Sequence, residues 1–86
     1  MNKLEIGKVY RHFKGNYYFV ENVGMDSETN EEMVIYKPLY PREDNCYIWV
    51  RPVKMFLEEI PERPDNITGQ KHRFELVDEL NKDYLK

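Results

Sequence analysis

The sequence predicts a mainly β fold: a small, strongly bent antiparallel sheet or partly open barrel of SH3-like type, with a short helical turn and a C-terminal pattern compatible with a short helix. Three observations indicate this class. Short segments rich in β-branched and aromatic residues alternate with turn residues, and no connection is long enough for a crossover helix between parallel strands. At 86 residues the chain can build one core. We therefore expect a single domain, residues 1–86, with its core over about 7–77 and a terminal segment at 78–86.

The composition predicts a small globular protein and excludes several other classes. Hydrophobic residues make up 41% and charged residues 34% of the chain, which is enough for one core under a polar surface. No apolar run approaches the roughly 18 residues of a membrane span, and the first residues lack the apolar region of a signal peptide, so we expect a cytoplasmic protein. A net charge of -3 argues against non-specific binding of polyanions. Cys46 is the single cysteine, which excludes an internal disulfide and a cysteine-rich zinc site.

The first element is a β-hairpin of residues 8–13 and 17–23 around Lys14-Gly15-Asn16. A two-residue loop would place the Arg11 guanidinium on the same face as Val9 and Val20, where burial without a partner is costly. A three-residue loop with a bulge pairs Tyr10 with Val20 and leaves Arg11 outside. We favour this second register, with an inner face of Tyr10, His12, Tyr18 and Val20 and an outer face of Arg11, Phe13, Tyr17, Phe19 and Glu21.

The next segments predict a polar turn at 24–32, a strand at 33–40 and an apolar strand at 46–50. Pro38 cannot donate to a ladder, so its strand ends at a sheet edge or beside a bulge. The nearly continuous apolar run at 46–50 indicates a central strand. The expected core consists of Tyr10, Tyr18, Val20, Tyr36, Ile48, Trp49 and Phe56.

The C-terminal half predicts a helical plug followed by a closing strand. Pro52 suits the first residue of a short helical turn, after which Val53, Phe56 and Leu57 share one face at i, i+3 and i+4. Residues 61–70 are a surface loop broken by prolines, and 71–77 alternate as the closing strand. Asp78 is placed to cap a last short helix.

Three ordered motifs carry a family resemblance. "YRHFKGNYYFV", "DSETNEEMVIY" and "WVRPVKMF" resemble a family of short bacterial proteins catalogued as domain of unknown function 1653. The similarity runs from about Gly7 to about Ile60 and returns weakly at "RFELV". Members usually carry histidine before Ser-Glu-Thr, where this chain has Asp26. The resemblance implies a small β-rich domain and brings no established activity.

Two polar motifs contain residues that could take part in catalysis or ligand binding. His12 is either a general base or ligand-binding imidazole, or a half-buried histidine hydrogen-bonded across the barrel mouth. Ser27 lacks the nucleophile elbow of a serine hydrolase, so Asp26, Ser27 and Thr29 are interpreted as turn residues that satisfy local backbone groups. No catalytic residue, metal ligand or cofactor is expected.

The outer hairpin face interleaves cations with rings, a pattern typical of surfaces that hold stacked bases or a peptide. Arg51 either pairs with a carboxylate or points into a ligand cleft beside this face. The alternative is that the rings are ordinary strand residues or lie under the C-terminal tail, through Leu80, Tyr84 and Leu85. The candidate ligand-binding residues are Arg11, His12, Lys14, Tyr17, Phe19 and Arg51.

These observations predict a non-catalytic binding module for a small ligand or protein partner, with no membrane association. A nucleic-acid-associated module is the second hypothesis, although the acidic balance disfavours it because such binding depends on phosphate contacts. The third hypothesis is an enzyme acting on a nucleotide-like small molecule. It ranks last because the sequence shows no nucleophile–base pair, metal cluster or phosphate-cradling glycine loop.

Overall fold

The computed structural model describes residues 4–41 and 48–81. In these residues one antiparallel sheet has the strand order β4-β3-β2-β1-β5. Its elements are β1 (Val9–His12), β2 (Tyr17–Met25), β3 (Glu32–Pro38), β4 (Trp49–Pro52), α1 (Val53–Phe56), β5 (Phe74–Leu76) and a 3-10 turn (Asp78–Asn81). The mainly β, antiparallel class is confirmed, whereas the SH3-like type stays a prediction. No helix in the described ranges is long and apolar enough to cross a membrane.

The hairpin has the predicted faces but a different register. Tyr10 lies opposite Tyr18, not Val20, so the predicted pairing was wrong by two residues. Its loop consists of residues 13–15, closed by the backbone N–H of His12 donating to the carbonyl of Asn16 at 2.8 Å. Because side chains alternate with a period of two, a shift of two residues leaves every strand residue on its predicted face.

Phe13 corrects the predicted outer face. Its side chain is only 1% exposed. The residue follows the end of β1, where strand alternation no longer determines direction, and its backbone N–H donates to the carbonyl of Arg73 at 3.1 Å. The segment around Arg73 thus covers the Phe13 ring, which strand alternation predicted to be exposed on the outer face.

The core occupies the inner face of the sheet and is closed by α1. Its buried members are Tyr10, Tyr18, Val20, Val34, Tyr36, Phe56 and Phe74. The Phe56 ring stacks on Phe74 with 3.9 Å between centroids and an interplanar angle of 4°. Val53 and Leu57 pack against the same cluster, which confirms the predicted plug, although the helix begins at Val53, one residue later than predicted.

Within the described residues β4 is an edge strand, so the prediction of a central strand at 46–50 was wrong. In the described part of the sheet, β4 pairs with β3 alone. Only one of its faces is covered: Trp49 packs against the core, whereas Val50 is 59% exposed. Ile48, predicted to lie in the core, is 56% exposed. A nearly continuous apolar run therefore did not indicate burial on both faces. Cys46 lies outside the described residues.

The turn between β2 and β3 confirms the turn interpretation of Asp26 and Thr29. The Asp26 carboxylate accepts the backbone N–H of Glu28 at 2.9 Å, and the Thr29 hydroxyl accepts that of Glu31 at 3.2 Å. Asn30 has φ +60°, a left-handed conformation that asparagine tolerates. These bonds satisfy backbone groups that the strands leave unpaired.

The C-terminal turn is tied to β1 by one side chain. The Asn81 amide oxygen accepts the backbone N–H of Val9 at 2.8 Å, and its nitrogen donates to the carbonyls of Val9 at 3.0 Å and Val77 at 2.7 Å. The side chain thereby continues the pairing of β5 with β1. The predicted tail residues Tyr84 and Leu85 lie outside the described residues, and Leu80 is 54% exposed.

Candidate functional site

The structure divides the six predicted site residues between two faces. Arg11, Tyr17 and Phe19 lie on the outer face of the β1–β2 hairpin. Arg51 lies opposite the fully buried Val34, which places it on the inner face. The expectation that Arg51 neighbours the outer hairpin face was therefore wrong. His12 shares the inner face with Arg51, and Lys14 extends from the hairpin loop towards the Phe13 ring at 5.9 Å.

The rings of the outer face are covered by cations of the same sheet. The Arg11 guanidinium lies 5.3 Å from the centre of the Tyr17 ring and donates through Nε to the carbonyl of Gly15 at 3.3 Å. Lys37 lies 5.5 Å from the Phe19 ring and pairs with Glu21 at 3.1 Å. These contacts occupy the cations and shield the rings, both of which are half-buried.

His12 lies between two rings on the inner face. Its ring centroid is 4.3 Å from that of Phe13 and 4.8 Å from that of Phe74. Cations flank both rings: Arg63, Arg73 and Lys14 lie 4.9, 5.8 and 5.9 Å from Phe13, and Arg51 lies 5.7 Å from Phe74. We call this group the His12 cluster; its members are His12, Phe13, Lys14, Arg51, Arg63, Arg73 and Phe74.

The His12 imidazole is held neutral with its proton on one nitrogen. The Nδ1 atom accepts the backbone N–H of Lys14 at 3.1 Å, so in the neutral ring Nε2 carries the proton. Burial, with a smaller contribution from the charges of Arg73, Arg51, Lys14 and Arg63, lowers the pKa of His12 from its ordinary value of 6.5 to about 4. At neutral pH the ring is therefore an uncharged hydrogen-bond donor.

The cations of the cluster exceed the carboxylates that pair with them. Arg73 pairs with Glu58 at 3.3 Å, and Asp65 lies 3.8 Å from Lys14 and also pairs with Arg63. Its hydrogen bond to Arg63 holds the pKa of Asp65 below its usual range. Within the described ranges, four cations thus meet two carboxylates, which leaves an excess of two positive charges in a chain of net charge -3.

Arg51 is the cation of the cluster for which residues 4–41 and 48–81 supply no carboxylate. Its Nε donates to the hydroxyl of Tyr36 at 3.2 Å, and Tyr36 is only 1% exposed. The guanidinium also lies over the Phe74 ring. A buried hydroxyl and a buried ring therefore orient this side chain, and its terminal nitrogens form the planar fork that suits two oxygens of one anion.

Aromatic side chains border the same region. The hydroxyls of Tyr18 and Tyr40 lie 3.1 Å apart, and the Tyr18 ring is 5.7 Å from that of Trp49. Burial and the bond with Tyr40 raise the pKa of Tyr18, so its hydroxyl stays protonated. Trp49 stands two residues before Arg51 on the same face of β4 and is half-buried. A planar surface thus lies close to the oriented guanidinium.

Sequence reasoning missed Arg63, Arg73 and Phe74 as neighbours of His12. Arg63 lies in a proline-rich loop, where no periodicity indicates direction. Phe74 sits opposite His12 in the β1–β5 pairing, which joins the two ends of the chain. The alternation in "KHRFELV" was the available signal, since it placed Phe74 in a closing strand, but it did not reveal the partner strand.

A second histidine has a local structural role. His72 Nδ1 lies 3.3 Å from the Glu75 carboxylate, which also accepts the backbone N–H groups of Lys71 and His72. The carboxylate therefore organises the entry to β5. Within the described residues, no three His, Cys, Asp or Glu side chains group as metal ligands do.

Comparison with known proteins yields one family and one solved structure. The model of a family described as protein of unknown function, DUF1653, matches residues 8–76. The crystal structure of a DUF1653 protein from Bordetella bronchiseptica is similar, with a TM-score of 0.70, 31% sequence identity, and coverage of 87% of this chain and 88% of that chain. Among curated proteins, none matches the chain.

Proposed function

The chain belongs to the DUF1653 family, and we propose that it is a non-catalytic module that binds an anionic ligand at the His12 cluster. One observation carries the proposal. Four cations converge on a half-buried, neutral histidine, and only two carboxylates pair with them among the described residues. The ligand is a small anion or an anionic group on a protein partner.

The His12 cluster offers an anion positive charge and an oriented hydrogen-bond donor. Cations held close together repel one another, and an anion bound among them removes that repulsion. The guanidinium of Arg51 is oriented by Tyr36 before any ligand arrives, which reduces the entropy lost on binding. Charge-assisted hydrogen bonds from such a group are about twice as strong as neutral ones.

The state of His12 supports binding over general-base catalysis. A general base at neutral pH needs a pKa near the working pH and a free lone pair. With a pKa of about 4, and with Nδ1 already accepting the N–H of Lys14, His12 is a weak base at pH 7. Its remaining nitrogen carries a proton and acts as a donor.

A nucleic-acid strand is the second candidate ligand. The half-buried rings of Trp49 and Tyr40 both pack on the Tyr18 ring, and Trp49 lies two residues before Arg51 on β4. Base stacking on aromatic side chains contributes about 1–3 kcal/mol per base. Affinity for an oligonucleotide would then fall steeply as salt increases and would grow with the number of phosphates. A small-anion site shows neither the length dependence nor the steep salt dependence.

Amide chemical shifts of the full chain, titrated with phenyl phosphate, test the proposal. We expect Arg51→Gln to weaken binding about tenfold or more, because it removes a charge-assisted contact worth about 1.5–3 kcal/mol. Arg11→Gln is the matched control, since Arg11 lies on the outer face, and it should leave the affinity within about twofold. The reverse result, with Arg11→Gln weakening binding and Arg51→Gln neutral, would instead locate the site on the outer hairpin face with Tyr17 and Phe19.

A further inference from the structure

We infer that the anionic group recognised by the His12 cluster is a phosphomonoester dianion, held by the terminal nitrogens of Arg51 and by the Nε2–H of His12. This rests on the proposed function and specifies its ligand class. The chemistry is shared by free phosphate, alkyl and sugar phosphates, and nucleoside monophosphates.

The net charge of the cluster matches that of a dianion. Among residues 4–41 and 48–81, the cluster's four cations and the two carboxylates that pair with them leave an excess of two positive charges. A phosphomonoester carries about -1.5 to -2 at pH 7, so it neutralises this excess. A carboxylate, a sulfate monoester or an internal phosphodiester carries one negative charge and leaves one cation uncompensated in a half-buried site.

The two proposed donors lie close to the same aromatic ring. The Arg51 guanidinium lies 5.7 Å from the Phe74 ring centre, and the His12 ring centre lies 4.8 Å from the same point. Both donors therefore border one ring. In the proposed complex the fork of Arg51 bonds two oxygens of a tetrahedral anion, and the protonated Nε2 of His12 donates to a third. A planar carboxylate has no third oxygen to offer.

His12 stays uncharged over the pH range in which a phosphomonoester changes from a monoanion to a dianion. The cations facing His12 are Lys14 from the hairpin loop, Arg51 from β4, Arg63 from the loop before β5 and Arg73, which directly precedes β5. Glu58 and Asp65 face these cations rather than the imidazole, and the hydroxyl of the neighbouring Tyr18 stays protonated.

With a pKa of about 4, His12 is uncharged from about pH 5 upward. The second ionisation of a phosphomonoester has a pKa near 6. Affinity should therefore rise between pH 5 and pH 7.5. A site that relied on a protonated histidine would lose affinity over the same interval.

The test compares three ligands of similar shape and different charge on the full chain: methyl phosphate, dimethyl phosphate and methyl sulfate. At pH 7.5 we expect methyl phosphate to bind about tenfold tighter than either monoanion, and this preference to vanish at pH 5. Phenyl phosphate and a nucleoside monophosphate then distinguish an aromatic or nucleoside phosphate from an alkyl or sugar phosphate as the ligand. Stacking on Trp49 would make both of them bind tighter than methyl phosphate.

Two variants assign the donors. Arg51→Gln should abolish the preference for the dianion, and His12→Met should reduce it several-fold because methionine fills the space without an N–H. Dispersed amide spectra establish that each variant is folded, and Arg11→Gln should keep the full preference.

The outcomes separate the two proposals. Equal affinity for all three ligands, still lost in Arg51→Gln, would overturn the dianion inference and leave the anion-binding function standing. Binding of every anion that is insensitive to Arg51→Gln would overturn both.

Discussion

The Nδ1 atom of His12 accepts the backbone N–H of Lys14 at 3.1 Å. This bond fixes the tautomer of a ring that burial and four neighbouring cations keep neutral. An imidazole in this state presents a donor to the inner face of the sheet, and it makes folding stability depend on pH.

Stability should fall as the pH drops from about 6.5 towards about 4. The unfolded chain binds a proton on this histidine near its ordinary pKa of 6.5, whereas the folded chain resists protonation until about pH 4, so acid favours unfolding over that interval. After screening by solvent, we expect a loss of about 1–2 kcal/mol between pH 7.5 and pH 5. Urea denaturation at the two pH values measures it.

His12→Gln is the control for this pH effect. The variant keeps every carboxylate, so the part of the acid-induced loss of stability that comes from carboxylates is unchanged. The part that comes from the His12 imidazole is removed. If the variant and the natural chain lose the same stability between pH 7.5 and pH 5, His12 is not the responsible group.

Two phenylalanines of one hairpin should differ in their effect on stability. Phe13→Ala removes a ring that is 1% exposed and covered by three cations, so we expect a loss of about 3–4 kcal/mol in the free energy of unfolding. Phe19→Ala removes a half-buried ring beneath Lys37 and should cost about 1 kcal/mol. Urea denaturation measures both, and a larger loss for Phe19→Ala contradicts the placement of Phe13.

Tyr36→Phe should weaken anion binding while leaving the core intact. The hydroxyl of Tyr36 accepts Nε–H of Arg51 at 3.2 Å, and its removal frees the guanidinium to adopt other rotamers. We expect about a three- to tenfold loss of affinity for phenyl phosphate, with a change in unfolding free energy below about 1 kcal/mol. Ile35→Ala is the matched control, because Ile35 lies opposite Val50 on the other face of the same strand, away from Arg51; if it weakens binding equally, the effect is general loosening.

Asn81→Ala should release the C-terminal turn from β1. The substitution removes one hydrogen bond to the N–H of Val9 and two to the carbonyls of Val9 and Val77, and we expect it to cost about 1–3 kcal/mol. Hydrogen exchange at the Val9 amide should accelerate in parallel. Asn22→Ala is the control, since the Asn22 side chain is exposed and bonds the N–H of its neighbour Val23. Unchanged exchange at Val9 in Asn81→Ala would show that the turn is held by other contacts.

Local pattern in the sequence determined the strands, their faces and the plug. The alternation of residues 17–20 predicts which side chains of β2 are buried, and it survives a register error because any shift of two residues preserves the face. The spacing of Val53, Phe56 and Leu57 after Pro52 predicts the helical turn, since each residue advances about 100° around a helix. These signals reside within a few consecutive residues.

Tertiary structure decided the site. Phe13 is buried because Arg63 and Arg73, from the far end of the chain, reach across the hairpin loop, where strand alternation has ended. Arg51 faces inward because its strand pairs with β3 in a register that sets it opposite Val34, and its own strand's apolar pattern is compatible with either face. The cluster is assembled from four separate segments, and charges brought together by long-range pairing leave no periodic trace along the chain.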